Sequence, residues 1–220
     1  MRMNIAIDGP VGAGKSSVAD AVAAKLGILH LDTGAMYRAL GLKVLREGVD
    51  PADEEQVLQV SEKLQLSVRV GQNGQETLLD GKDVSALIRT PEVSMAASTV
   101  SRYAPVRKKM VALQQKLASE QDMVLDGRDI CTTVLPDAPV KIYLTASAEE
   151  RAKRRWKEMK EKGAAESYEN VLAQVKARDE QDMNRPVEPL RQAEDAVLLD
   201  STNLSFEQVV DRIVKLAEGI

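Results

Sequence analysis

The chain has 220 residues, of which 44% are hydrophobic and 29% charged, and its formal net charge is −4. A chain of this size and composition is typical of one soluble globular domain that buries a substantial core. Its acidic balance and its 3% of aromatic residues argue against a protein that coats nucleic acid, because such proteins present basic charge and stacking surfaces.

The first predicted element is a strand over residues 3–8, and a glycine-rich segment follows it directly. Residues 9–16 read Gly-Pro-Val-Gly-Ala-Gly-Lys-Ser, the pattern of a phosphate-binding loop. The glycines let backbone N–H groups turn towards a phosphate chain, and a helix predicted over 17–26 points its positive N-terminus the same way. Lys15 can reach the β- and γ-phosphates, and the Ser16 hydroxyl can bind Mg²⁺. The predicted nucleoside triphosphate site consists of Gly9, Pro10, Val11, Gly12, Ala13, Gly14, Lys15, Ser16 and Ser17.

Short apolar segments alternate with helical patterns along the rest of the chain. The predicted strands after the first cover residues 28–31, 123–125, 140–144 and 196–199. This alternation predicts an α/β fold of the P-loop NTPase type, in which a five-stranded parallel sheet lies between helices on both faces, giving three layers. A helix is also predicted over 35–47. Ligands bind at the carboxyl ends of such strands, where the polar segments 9–16, 32–38 and 126–129 follow predicted strands.

One segment departs from this alternation. Residues 66–70 and 75–80 have the pattern of two strands joined by a four-residue turn over 71–74. Because a hairpin is antiparallel, it cannot belong to the parallel sheet. We therefore expect a small antiparallel insertion at about 65–90 within a single domain of residues 1–220. The pattern leaves open whether the insertion decorates an edge or covers the acceptor substrate.

A phosphate-binding loop is shared by GTPases, motor ATPases and small-molecule kinases, and other residues help to separate these classes. The guanine-reading pattern Asn-Lys-x-Asp does not occur, which argues against a GTPase. Arg128 follows a predicted strand, and Arg178 precedes Asp182 by four residues on one helix face. Fixed cations of this kind suit phosphoryl transfer between two anionic groups. For the charge run over 151–157, a solvated helix face is the ordinary expectation at positions 151, 153 and 157.

Four motifs in chain order resemble those of the bacterial cytidylate kinase family. They are residues 7–10 leading into the loop, 31–38, 126–129, and Arg178-Asp179 with Asp182-x-Asn184-Arg185. The resemblance spans about residues 3–218 and includes a hairpin insertion. It implies a phosphotransferase that moves the γ-phosphate of ATP to CMP or dCMP, with Mg²⁺ as cofactor and with CDP or dCDP and ADP as products.

The resemblance also implies an acceptor site. Its residues are Arg38, Arg128 and Arg185 at the CMP phosphate, Thr33, Ser98, Arg107 and Asp129 at the cytosine, and Arg178 and Asp182 at the ribose hydroxyls. Cytosine has an amino donor at N4 and acceptors at N3 and O2. Asp129 can therefore accept from N4 while Arg107 and Ser98 donate. Uracil would place an unmatched oxygen against Asp129 at a cost of about 1–3 kcal/mol, so CMP is expected to be preferred over UMP.

Catalysis is expected to rest on positioning, because the CMP phosphate is already ionised at neutral pH and needs no general base. We assign it to Lys15, Arg128, Arg154 and Arg178, with Ser16 as the metal ligand. Arg154 and Arg155 begin a segment, about 154–163, that we expect to form a lid over the γ-phosphate and to exclude water. The sequence leaves open which of these two arginines contacts the γ-phosphate. For Asp126, a role beside the metal and a structural role are both open.

One departure from the family pattern lies beside the expected cytosine pocket. Cys131 stands where glycine is common in the family, and a cysteine there would be strained if the backbone required a positive φ. A packed and unreactive thiol is the expected state of this residue.

The sequence leaves two other functions open. One is a related P-loop kinase for UMP, AMP or a small hydroxyl compound, and the other is a nucleotide-binding scaffold without turnover. The single cysteine suits a reducing compartment, and no stretch approaches the roughly 18 apolar residues of a membrane span. We therefore expect a cytoplasmic monomer that contacts neither a membrane nor nucleic acid.

Overall fold

A computed structural model describes residues 2–71, 74–161 and 163–219 of the chain. The strands and helices of these residues are, in chain order, β1 (Asn4–Asp8), α1 (Lys15–Leu26), β2 (Leu29–Asp32), α2 (Thr33–Arg46), α3 (Glu54–Glu62), β3 (Leu66–Gly71), β4 (Gly74–Leu79), β5 (Lys82–Asp83), α4 (Pro91–Val100), α5 (Ala104–Glu120), β6 (Met123–Gly127), β7 (Val140–Thr145), α6 (Ala148–Glu161), α7 (Tyr168–Asn184), β8 (Val197–Asp200) and α8 (Phe206–Glu218). A short 3₁₀ turn covers Leu87–Arg89, and a π-helical turn covers Ile130–Val134.

The chain divides into two compact units. Residues 1–28 and 123–220 form the first unit, and residues 29–122 form the second. The first unit contains four strands in the order β6-β1-β7-β8, and β2 is the fifth strand of the same sheet. The pairings of β1 with β6, β1 with β7 and β7 with β8 are all parallel. The predicted α/β fold with a five-stranded parallel sheet is therefore confirmed.

The core of the first unit is built around the central strand β1. All five residues of β1 are buried, as expected for a strand that lies between helices. Ile5 and Ile7 share one hydrophobic cluster with Val22 of α1 and Ile213 of α8. This packing holds the carboxyl end of β1, and the glycine-rich segment that follows it, against the rest of the unit.

The second unit contains helices α2 to α5 and a small antiparallel sheet in the order β3-β4-β5. The predicted antiparallel insertion is confirmed, with Leu66 opposite Leu79. The predicted turn over 71–74 is too long, because Gly71 and Gly74 are themselves paired strand residues; positions 72 and 73 lie outside the described residues. The third strand, Lys82–Asp83, was not predicted because two residues give no periodic signal.

Helix boundaries differ slightly from the prediction, and local capping explains one of the differences. Helix α2 begins at Thr33 and not at 35, because the Asp32 carboxylate accepts the N–H of Ala35 at 2.9 Å and caps the first turn. Helix α1 begins at Lys15, two residues before the predicted start. Across the described ranges, no helix combines the length and the hydrophobicity that crossing a membrane requires.

Candidate functional site

The glycine-rich segment connects the carboxyl end of β1 to the N-terminus of α1. Gly9, Gly12 and Gly14 have φ values of 151°, 75° and 86°, which side-chain-bearing residues rarely adopt. At Gly9 a Cβ atom would lie 1.9 Å from the carbonyl oxygen of Leu144 on β7, so only glycine fits there. The structure therefore places the predicted triphosphate-binding residues in this loop and in the first turn of α1, an arrangement suited to anion binding.

Lys15 is the first residue of α1, and its side chain is buried. Its ammonium group donates a hydrogen bond of 2.8 Å to the carbonyl oxygen of Pro10 in the same loop. Burial lowers the pKa of Lys15 to about 7, and the positive charge of Arg128 acts in the same direction. Lys15 is thus held beside the loop. A bound anion would favour the protonated, positively charged form of its side chain.

Ser16 lies next to a carboxylate from the neighbouring strand. Its hydroxyl donates to Asp126 Oδ2 at 2.9 Å, and Asp126 is a buried residue of β6. The described residues contain no group of three or more His, Cys, Asp or Glu side chains that could hold a metal alone. A single hydroxyl beside a carboxylate nevertheless fits Mg²⁺, which is commonly bound by one or two protein oxygens, water and substrate phosphates.

A buried carboxylate joins two of the predicted arginines. Asp182 accepts from Arg128 Nε at 2.8 Å and from Arg178 Nε at 3.0 Å. Burial acts to raise the pKa of Asp182, but the charges of Arg128 and Arg178 outweigh it and the net pKa is lowered. The prediction that Arg178 and Asp182 share one helix face is confirmed. Asp182 therefore links Arg128, which follows β6, to Arg178 on α7.

The turn after β6 carries Asp129, which lies 3.5 Å from Arg185 in an ion pair that is buried on both sides. Asp8, at the end of β1, anchors this turn through its two carboxylate oxygens. They accept the N–H groups of Ile130 and Cys131, each at 2.8 Å. Burial raises the pKa of Asp8 to about 6, against the lowering effect of these two hydrogen bonds. In the sequence, Asp8 stands out only as part of the motif over residues 7–10. Its two partners lie 122 and 123 positions further along the chain, so the sequence does not indicate these hydrogen bonds.

Cys131 is buried in this turn without backbone strain. Among the described residues, the non-glycine positions with positive φ are Asp80 and Glu188, so the strain considered for Cys131 does not arise. Its thiol lies 3.5 Å from the carbonyl oxygen of Ala6. Burial and the charge of Asp8 raise the thiol pKa. These observations agree with the expected packed and unreactive cysteine.

Helix α6 carries the charge run, and its arginines differ in environment. Arg154 donates to Ser201 Oγ at 3.1 Å and to the Ser201 carbonyl oxygen at 2.9 Å. Lys153 and Lys157 are exposed, as expected. The expectation of a solvated face is wrong for Arg151, which is buried and pairs with Asp179. The segment predicted as a lid comprises the end of α6 and the residues after it, of which 162 lies outside the described residues.

In the second unit, Arg38 lies on α2 near the end of β2. Its Nη2 donates to Asp32 Oδ2 at 2.7 Å. Its Nε is buried and has no hydrogen-bond partner among the described residues. Burying a guanidinium N–H without an acceptor costs free energy. An anionic ligand that accepts from this N–H would remove that cost. Thr33 is buried at the first position of the same helix.

The remaining predicted residues of the second unit lie on α4 and α5. Arg107 is 2% exposed, and its Nη1 donates to the carbonyl oxygen of Ser101 at 3.2 Å. Its guanidinium carbon lies 5.6 Å from the centre of the Tyr37 ring, which is a cation–π contact. Ser98 is buried on α4. Tyr37 was not predicted as a site residue, although it stands directly before Arg38 in the motif.

The predicted acceptor residues therefore fall into two groups. Thr33, Arg38, Ser98 and Arg107 belong to the second unit, and Arg128, Asp129, Arg178, Asp182 and Arg185 belong to the first. Within the first unit the structure joins Arg128, Arg178 and Asp182 in one network and pairs Asp129 with Arg185.

Similarity to known proteins identifies one family. A family model described as cytidylate kinase matches residues 5–219. A cytidylate kinase from Caldicellulosiruptor saccharolyticus is 51% identical over 215 residues, covering 98% of this chain and 95% of the relative. One from Bacillus cereus is 47% identical over 219 residues, covering 100% of this chain and 97% of the relative. An uncharacterised protein from Eubacterium ventriosum, of known crystal structure, is 14% identical with a TM-score of 0.54 over 100% of both chains. That last likeness supports the fold alone.

Proposed function

The chain belongs to the cytidylate kinase family, and we propose on this premise that the residues described above transfer the γ-phosphate of ATP to CMP or dCMP. The match of residues 5–219 to the family carries this conclusion. Membership of this family argues against a nucleotide-binding scaffold without turnover. Nothing in the comparisons or the structure favours UMP, AMP or a small hydroxyl compound as the acceptor.

The donor site consists of the glycine-rich loop and the first turn of α1, residues 9–17. Lys15 exchanges its contact with the Pro10 carbonyl for the β- and γ-phosphates, because an anion satisfies a buried ammonium better than a neutral carbonyl does. Kinases of this family use a divalent metal with ATP, and we propose Mg²⁺, held by Ser16 with Asp126 beside it. When bound, Mg²⁺ neutralises phosphate charge.

The acceptor site uses the residues that match the family motifs. Thr33, Ser98, Arg107 and Asp129 bind the cytosine, Arg178 and Asp182 bind the ribose, and Arg38, Arg128 and Arg185 bind the CMP phosphate. The unpaired Nε of Arg38 supports the last role, because a phosphate oxygen would give it an acceptor. The buried carboxylate of Asp129 supports the recognition of an amino group at N4.

The chemical step depends on positive charge at the transferred group. Lys15, Arg128, Arg154 and Arg178 meet the charge that spreads over the phosphoryl oxygens, and no side chain needs to remove a proton. The segment at about 154–163 acts as the lid, and the insertion at about 65–90 belongs to the acceptor-binding part of a single 1–220 domain. The enzyme is proposed to work as a cytoplasmic monomer.

Replacement of Asp129 tests the cytosine assignment. Asp129→Asn places an amide where the base amino group is bound, so the ratio of kcat/KM for CMP to that for UMP should fall by about five- to 150-fold. The ratio is the informative quantity, because loss of the Arg185 pair weakens both acceptors alike. Asp137→Asn, at an exposed carboxylate, is the matched control and should keep the wild-type ratio. An unchanged ratio in Asp129→Asn would exclude this residue from base recognition.

A further inference from the structure

Arg151 makes contacts that the proposed reaction does not use. It is 5% exposed and lies on α6. Its Nη1 donates to the carbonyl oxygen of Val11 at 2.8 Å, and its Nε donates to the carbonyl oxygen of Ala146 at 2.9 Å. The same guanidinium binds both carboxylate oxygens of Asp179, at 3.0 and 2.6 Å. One side chain thus joins the loop, the end of β7 and helix α7.

The contact with Val11 fixes a peptide unit of the loop. In a trans peptide the C=O and the following N–H point in opposite directions. By holding the Val11 carbonyl, Arg151 therefore directs the N–H of Gly12 away from itself. The backbone of Gly12 also packs closely here, since a Cβ atom would lie 3.3 Å from both the Cβ and the carbonyl oxygen of Arg151. A loop that binds phosphates through backbone N–H groups depends on such fixed peptide orientations.

Asp179 fixes the orientation of the arginine in turn. The ion pair is bidentate and buried, with side-chain exposures of 6% for Arg151 and 14% for Asp179. This geometry requires the planar guanidinium fork, and a lysine ammonium cannot make the same set of contacts. Asp179 follows Arg178 on α7, so the pair also connects the loop to the helix that carries Arg178 and Asp182.

We propose that Arg151 is a positioning residue for the donor site, and that Asp179 acts through it. Arg151 holds the Val11 carbonyl so that the loop is already formed when ATP arrives. This inference rests on the proposed role of residues 9–17 in ATP binding. It predicts a defect in donor binding that is separate from binding of the acceptor.

The test compares Arg151→Lys and Asp179→Asn with Lys153→Met, an exposed position on the same helix. Calorimetry measures Kd for ATP–Mg²⁺ and for CMP separately, and thermal unfolding reports whether each variant is folded. Arg151→Lys should raise Kd for ATP by about tenfold or more, as expected for the loss of a charged hydrogen bond. Kd for CMP should change by less than about threefold, and Lys153→Met should resemble wild type.

Asp179→Asn keeps the shape of the site and provides the test if Arg151→Lys does not fold. It should raise Kd for ATP in the same direction, and the double variant should be no weaker than Arg151→Lys alone, because the two residues act as one unit. Unchanged ATP affinity in folded variants, or equal losses for ATP and CMP, would overturn the proposal. A wild-type protein that binds ATP but phosphorylates no CMP would refute the proposed function while leaving this test valid.

Discussion

ATP binding should be coupled to proton uptake by Lys15. Burial lowers the pKa of this lysine to about 7 in the free protein, because an apolar surrounding disfavours the charged form. At pH 8, one unit above that pKa, only about one molecule in eleven carries a protonated Lys15. On the proposed role of Lys15, bound triphosphate should place negative charge beside the ammonium group and restore its charged form. Binding should therefore take up about 0.9 proton per ATP at pH 8 and only about 0.1 at pH 6.

Isothermal titration calorimetry measures this uptake directly. Titrations of ATP–Mg²⁺ at each pH in buffers of different ionisation enthalpy give the number of protons from the slope of the observed heat. Lys15→Arg is the control, because arginine stays charged throughout this range and should take up no proton at position 15. Lys153→Met, at an exposed site, should behave as wild type. Uptake near zero at pH 8 in the wild-type protein would refute the argument that burial neutralises Lys15.

Three further predictions concern the loop, the arginine network and the turn after β6. Gly9→Ala should abolish measurable ATP binding in calorimetry, because the Cβ of the alanine would lie 1.9 Å from the Leu144 carbonyl oxygen. Wild-type affinity for ATP in this variant would show that the loop can shift freely. Asp182→Asn should lower kcat/KM for CMP by about tenfold or more, since it removes the charge between Arg128 and Arg178; steady-state kinetics with an unchanged value would exclude the network from function. The folded state raises the pKa of Asp8 from 3.8 to about 6, so folding favours the protonated side chain. The free energy of unfolding that this raised pKa contributes is full below about pH 4 and is lost as the pH rises through 6. Relative to Asp8→Asn, the free energy of unfolding of the wild type should therefore fall by up to about 3 kcal/mol between pH 4 and 7; parallel profiles in urea unfolding would contradict this.

Much of the fold follows from local patterns in the sequence. The glycine spacing before Lys15 and the short apolar strands identify the parallel sheet and its loop, because both features depend on neighbouring residues. The i, i+4 spacing of Arg178 and Asp182 likewise predicts that they share one helix face, where the structure pairs them.

Contacts between distant segments could not be predicted in the same way. Arg151 lies in a charge run that is typical of a solvated helix face, yet its side chain is buried. It donates hydrogen bonds to the Val11 carbonyl oxygen and to Asp179, which is 28 residues away. Asp8 binds a turn more than 120 residues along the chain. Such partners are set by the packing of whole elements, and no periodicity in a single sequence encodes them.

The most direct test of the proposed reaction is the initial rate of ADP formation from ATP–Mg²⁺ with CMP, dCMP, UMP, AMP and GMP measured in parallel. A cytidylate kinase with this cytosine site should turn over CMP and dCMP fast, and UMP and both purine nucleotides slowly. Equal turnover of UMP would refute the role of Asp129 in base selection. ADP formation that does not depend on CMP or dCMP would contradict the assignment as a cytidylate kinase.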